Sequence, residues 1–269
     1  MSTMSDSRPT STTKKSANPV VAFVMKYWIT GLIFLAIVLA YAFIAENGIL
    51  NNFLFPSISL IGEAFVNNWH IFLMNMVYSF RLLVPAVAIA TLVALIIGFL
   101  LGISGRVREV FHPVVYTVSV IPSILLAPFA LLLAPSFRAA SLFLVTFATI
   151  WPTLFATITG VQTIDKRYLD NAATLGLTGF KRFYKVVLPA ASPSIIAGFV
   201  NALRGSFVTL VYAEMYGAQY GMGFFVKKYT EYGLYGEAWA GFVFMVVVLV
   251  IVMQIFEKIK NYMLRWTID

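Results

Sequence analysis

Chemistry in this chain is confined to a few residues, and their types and spacing point to recognition, not to bond-making. Arg81 and Arg204 stand inside long apolar runs, where a charge costs about 2.5–3.5 kcal/mol on insertion scales. A residue kept there at that cost needs a partner or a task. Arg204 lies mid-run. Two readings of it stand: it meets an anionic solute, or it faces a bundle and bonds helix-end carbonyls or Glu214. Arg81 is nearer the end of its run, so its guanidinium can snorkel toward water. The two histidines, His70 and His112, are far apart and share no metal-ligand spacing. Cysteine is absent, which removes thiolate ligands, a cysteine nucleophile and disulfides. No Ser/His, Asp/Asp or His-rich constellation falls within the runs, and no G-x-x-x-x-G-K-[ST] phosphate cradle occurs. An enzyme built into the membrane is therefore disfavoured, and any ATP-driven work must be borrowed.

The densest polar stretch is 165–189, DKRYLDNAATLGLTGFKRFYKVVLP. Asp165 can cap a short helix by accepting from first-turn amides. Leu169, Ala172, Ala173 and Gly176 then recur at helical spacing and give a small-residue face. Gly176 can take positive φ, end that helix and turn the chain. Thr178 can cap a second helix. There Phe180, Phe183, Tyr184 and Val187 form one face, and Lys181, Arg182 and Lys185 the other. Leu188-Pro189 is expected to end this element and begin the next, because proline fits a helix's first turn but not its interior. Such a basic amphipathic stretch could lie on anionic lipid. A lipid-surface helix, however, needs neither the mid-segment glycine nor the flat alanine face, whereas a protein cleft gripping a helix needs both.

The elements that must hold these residues are membrane helices. Hydrophobic residues make up 60% of the 269 and charged residues 11%, against about 25% charged in soluble domains. Six apolar spans emerge, roughly 27–45, 77–103, 111–134, 139–161, 191–213 and 238–257, each long enough at about 1.5 Å per residue to cross about 30 Å of hydrocarbon. Backbone groups in lipid must pair within the segment, so these runs are helices. Pro85, Pro122, Pro128 and Pro152 fall inside them and are expected to kink them. Residues 1–26 are polar and Ser/Thr-rich and read as a disordered cytoplasmic tail; 27–45 reads as a retained first helix, not a cleaved signal. The loop before the second span holds an expected interfacial helix near 58–68. With the N-terminus inside, fourteen of the nineteen Lys and Arg fall on the cytoplasmic side, and Arg138, Lys227 and Lys228 outside. This is a strong orientation signal, and it explains the net charge of +8 without nucleic acid. The aromatic stretch 212–239 reads as an interfacial belt that also packs against a partner protein, with an outer gate or a stacking surface for a planar solute as the alternative.

Within 165–189, Asp170-Asn171-Ala172, three residues, Gly176, nine residues, and Val186-x-Leu188-Pro189 reproduce a spacing that resembles the EAA signature of ABC-importer permeases. Glu214-Met215-Tyr216-Gly217-Ala218 followed by Gly221-Met222-Gly223 is similar to a segment of the subfamily serving nitrate, aliphatic sulfonates and taurine. Leu54-Phe55-Pro56-Ser57, Ser79-Phe80-Arg81 and Ser119-Val120-Ile121-Pro122 sit where that subfamily has similar segments. The likeness covers about 50–265. Two departures stand out: Asp170-Asn171 replaces the usual Glu-Ala, and the turn Leu133–Arg138 is short and lacks an aromatic-glycine pattern.

The resemblance implies an all-α polytopic membrane protein of the type I importer fold, with six transmembrane helices in a permease domain of 27–269 and a cytoplasmic helix–turn–helix coupling segment at 165–189. It implies ATPase coupling through Asp170, Ala172, Ala173, Gly176, Leu188 and Pro189, and a solute path past Arg204, Glu214, Tyr216, Ser119 and Ser123. No cofactor or metal would be bound by this chain; ATP and Mg would sit on a partner ATPase subunit. The other implied partners are a second permease chain, identical or related, an extracytoplasmic solute-binding protein and membrane lipid. The location would be the bacterial inner membrane, with both termini cytoplasmic. The rival is an ion-gradient-driven secondary transporter, which would call for internal repeats and intramembrane carboxylates; no repeat is visible and Asp and Glu fall almost wholly in loops.

Overall fold

The structure, a computed structural model, describes residues 19–265. The chain divides into two compact units, 1–58 and 59–269. In the first, helix α1 (Pro19–Glu46) carries a candidate span, Trp28–Glu46. Helix α1 begins at Pro19, not at Tyr27, so only 1–18 of the expected tail lie outside the described residues. The turn beyond it uses Gly48 at φ +66°, and the Tyr41 hydroxyl donates to the Pro56 carbonyl at 2.8 Å.

The second unit holds α2 (Ile58–Ile103), α3 (Gly105–Ser119), α4 (Ala127–Leu133), α5 (Phe137–Gln162), α6 (Lys166–Thr174), α7 (Gly179–Arg182), α8 (Leu188–Gly217), α9 (Met222–Glu231) and α10 (Tyr235–Met263). Among the described residues, five helical stretches are long and apolar enough to cross a membrane, and the bent pair α3/α4 makes a sixth if taken as one span.

Two expectations about these elements are corrected. The segment 58–68 is not a separate interfacial helix: it runs unbroken into α2, whose 46 residues extend about 69 Å. No glycine or proline occurs between Gly62 and Pro85, so nothing breaks the hydrogen-bond ladder there. The span 111–134 is not one helix. It breaks at Val120–Pro122, with a 3-10 turn (Ser123–Leu126) between arms bent by 74°. Pro122 stands outside either helix and Pro128 in the first turn of α4, so these prolines bound helices and do not kink one. Pro85 and Pro152 do lie inside α2 and α5.

Lipid gives helices little hydrophobic reason to associate, so close approach and interhelical hydrogen bonds must hold them. The α5–α8 seam does both. A Cβ on Gly198 would sit 2.8 Å from the Pro152 carbonyl, and one on Gly160 would sit 3.0 Å from that of Ala191. Thr149 and Ser206 share a buried hydrogen bond of 2.6 Å across the seam, a type worth about 0.6 kcal/mol on average in membranes. On α2, Gly98 accepts Thr157 of α5 in the same way. Leu82, Leu83, Ala86, Val145, Phe207, Leu210, Met222 and Val248 close the core.

Candidate functional site

The polar segment folds as a bent helical pair. Asp165 accepts from the Arg167 amide at 2.9 Å and starts α6. At the other end Leu177 N–H donates to Ala172 O at 2.9 Å and Gly176 N–H to Ala173 O at 3.0 Å. That double closure is a Schellman turn, and it needs the positive φ that Gly176 supplies at +68°. Gly179, at φ +52°, adds a second such position that the sequence reading did not single out. Thr178 occupies the N-cap position of α7 in extended conformation, without a side-chain cap.

The expected small-residue face divides. Ala172 is 2% exposed and Leu169 packs with Phe99, Val187 and Ile195, anchoring α6 to the bundle. Asp170, Ala173 and Gly176 face outward, and nothing approaches within 4 Å of a Cβ on Gly176. The second helix divides the same way: Val187 is buried and Phe183 meets the Phe99 ring edge-on at 4.8 Å. Phe180 (79% exposed), Leu175 (76%), Tyr168 and Tyr184 are uncovered. A groove of about 510 Å³ runs beside them, lined by Asp165, Asn171, Leu177, Lys185 and Pro189 among others. Large apolar side chains left bare on a polar, basic element mark an interaction surface.

Leu188-Pro189 does not end the second helix, which corrects the expected break. Phe183–Val187 form a π-turn, in which the Leu188 amide reaches back to Phe183 O. Pro189 has no amide to donate and its ring crowds the preceding turn, and the wider π geometry absorbs the defect. The candidate span therefore runs from Gly179 to Gly217 as one element, and α7 is mechanically continuous with α8.

The residues named for a solute path are spread along that helix and do not converge on one centre. Asn201, Arg204, Gly205, Val208 and Tyr216 form a stripe that this chain leaves uncovered, alternating with buried Ala202, Leu203, Ser206, Phe207, Thr209 and Leu210. Arg204 pairs with Glu257 of α10 at 3.7 Å and contacts Asn201 at 3.5 Å; Glu257 is shared with Lys260. Glu214 is not its partner among the described residues. Ser123 bonds Thr209 at 3.2 Å and ties the α3/α4 bend to α8, whereas Ser119 donates to its own helix at Tyr116. Tyr216 packs on Tyr212, ring centroids 4.7 Å apart.

Glu214 is 3% exposed and committed. Its carboxylate accepts from Gly223 N–H at 2.8 Å and is hydrogen-bonded by Ser79. Gly221 N–H donates to Asn75 at 2.8 Å and Met222 N–H to Ser79 at 2.9 Å. Three side chains from α2 and α8 thus satisfy the free amides at the start of α9. Gly223 allows the approach, because a Cβ there would strike the Val211 backbone, and Gly221 adopts φ +128°. Asn75 is the residue that sequence reasoning missed. Its one signal was an amide in an apolar run, and its partner lies 146 positions away. Among the described residues no group of His, Asp or Glu could hold a metal ion.

Comparison with known proteins accords with this geometry. Residues 90–265 match the family described as "Binding-protein-dependent transport system inner membrane component". Similar proteins include the nitrate import permease protein NrtB of Leptolyngbya laminosa, 31% identical over 51% of this chain and 49% of that one. The putative aliphatic sulfonates transport permease protein SsuC of Bacillus subtilis is 24% identical over 64% and 62%. The bicarbonate transport system permease protein CmpB of Synechococcus elongatus is 29% identical over 52% and 50%. The chain spans about half to three-fifths of the length of these curated relatives. A match over most of the chain, carried by an all-helical membrane bundle, makes it a member of the inner-membrane components of binding-protein-dependent transport systems, the ABC-importer permeases, which are transport subunits and not enzymes.

Proposed function

We propose that this chain is the permease subunit of an ATP-driven importer and that 165–189 is its contact with a separate ATPase. The observation that carries the reading is the uncovered apolar surface on the bent helical pair, joined without a break to α8. A subunit gripping Leu175, Phe180 and Tyr184 would hold the end of a lever about 58 Å long, given the 39 residues of that stretch. ATP and Mg act on the ATPase. Its closure moves the lever and biases the bundle between two states. Asp170, Ala172, Ala173, Gly176, Leu188 and Pro189 shape the grip.

A second permease chain, a copy or a relative, completes the path by facing the α8 stripe of Asn201, Arg204, Val208 and Tyr216. A solute-binding protein delivers cargo from outside. The orientation follows from lysine and arginine counts, with both termini cytoplasmic in a bacterial inner membrane. Nitrate, aliphatic sulfonates and bicarbonate in the relatives' names all carry an oxyanion, so a small solute with an oxyanion group, of nitrate, sulfonate or taurine type, is the proposed cargo. The test is Gly176→Val in the reconstituted transporter. A β-branched residue at positive φ costs about 1–2 kcal/mol or more, enough to distort the turn without ejecting the chain from the membrane. The expected result is normal insertion with ATP-driven uptake uncoupled from hydrolysis; normal uptake would count against the reading.

A further inference from the structure

We propose that a cavity at the end of the bundle opposite the coupling segment is a receiving site for a small anion, with Arg81 and Arg138 supplying the charge and Tyr78 and Tyr220 a stacking wall. The proposal rests on the permease reading above and adds where the cargo is first held. The cavity measures about 430 Å³ and is lined from α2, the start of α5 and the α8–α9 turn. Three separate elements therefore converge on it, as at a built site.

Its charge balance is uneven. Arg81 and Arg138 both line it, and neither has an ion-pair partner among the described residues. The one carboxylate on its wall, Glu214, is engaged by Gly223 N–H and Ser79. The void thus faces two guanidinium groups and one acid that Gly223 and Ser79 already engage. Arg138 stands in the first turn of α5, where the helix dipole disfavours a cation. An anion between the two arginines relieves that conflict and completes charge-assisted hydrogen bonds. The rings of Tyr78 and Tyr220 stack at 4.7 Å and 16°, and the Arg81 guanidinium lies 5.7 Å from the Tyr78 centroid. A flat apolar wall next to two fork-shaped donors suits a planar or short-chain oxyanion, such as nitrate, bicarbonate or an alkanesulfonate. In the proposed orientation this mouth faces the side from which a binding protein delivers.

The direct test labels the full chain in lipid nanodiscs with an arginine-specific dicarbonyl reagent. Sodium nitrate or sodium butanesulfonate is added, ionic strength is matched with sodium chloride, and each arginine is read by mass spectrometry. The expected result is that either probe slows modification of both Arg81 and Arg138 by about threefold at twice its dissociation constant, where one third of the sites stay free, with Arg265 unaffected. Protection no better than chloride gives, or shared equally by Arg265, overturns the proposal. A second arm measures uptake by the complete transporter carrying Arg81→Gln or Arg138→Gln. The expected rise in KM is about tenfold or more, the loss of a charged hydrogen bond. A loss of binding-protein affinity without any anion protection would mean that the cavity receives an acidic side chain of that protein, and would also overturn the proposal. The labelling arm needs no ATPase, so its failure is separable from failure of the permease reading, and it stands on the unmodified protein if either variant does not fold.

Discussion

Glu214 illustrates how one side chain decides a local fold. Its carboxylate, with Ser79 and Asn75, closes the amide end of α9, where an unpaired buried donor costs about 1–3 kcal/mol. Glu214→Ala is therefore expected to lower stability by about that amount, measured as thermal unfolding in detergent, with Glu214→Gln keeping an acceptor and losing less. Equal losses for the two variants would show that the charge, and not the hydrogen bond, holds the turn. The sequence marked Glu214 as functional without revealing this task, because Asn75 and Ser79 sit more than 130 positions away. Gly176 was legible for the opposite reason. A helix end that must turn within a few residues is a local problem, and glycine is its local solution. Arg204 lay between these cases: its depth was visible, but its partner Glu257 could only come from the packing of α8 on α10.

At the scale of elements, the apolar runs were readable because lipid forces every span to be a helix, and the bent pair at 165–189 because its cap and its turn glycine are local signals. Where helices break was less readable. Pro122 breaks a span, Pro152 stays inside one, and Pro189 is absorbed by a π-turn; neighbouring helices make the difference. The α5–α8 seam yields a sharp contrast between two glycines of one helix. Gly198→Ala forces a Cβ to 2.8 Å from the Pro152 carbonyl, and overpacking of this kind costs about 1–3 kcal/mol. Gly205→Ala meets nothing within 4 Å and is expected to be neutral, or to stabilise the solubilised chain by up to about 1 kcal/mol through helix propensity. Unfolding temperatures of the two purified variants check this; equal destabilisation would mean that the seam is looser than its geometry indicates.

The second unit, 59–269, is a bundle with a handle. One end leaves Leu175, Phe180 and Tyr184 bare on a rigid turn, and the helix leaving that turn carries the Arg204 stripe toward the opposite mouth. Force applied at the handle has an unbroken helical route through the bundle, and that is the central claim. Because the chain contains no cysteine, Ala173→Cys provides a single reporter on the exposed face of α6. With the complete transporter in native membranes, the account predicts a thiol crosslink from position 173 to the nucleotide-binding subunit, with a yield that changes when ATP is added. A thiol that reacts freely with membrane-surface reagents and never joins that subunit would contradict it.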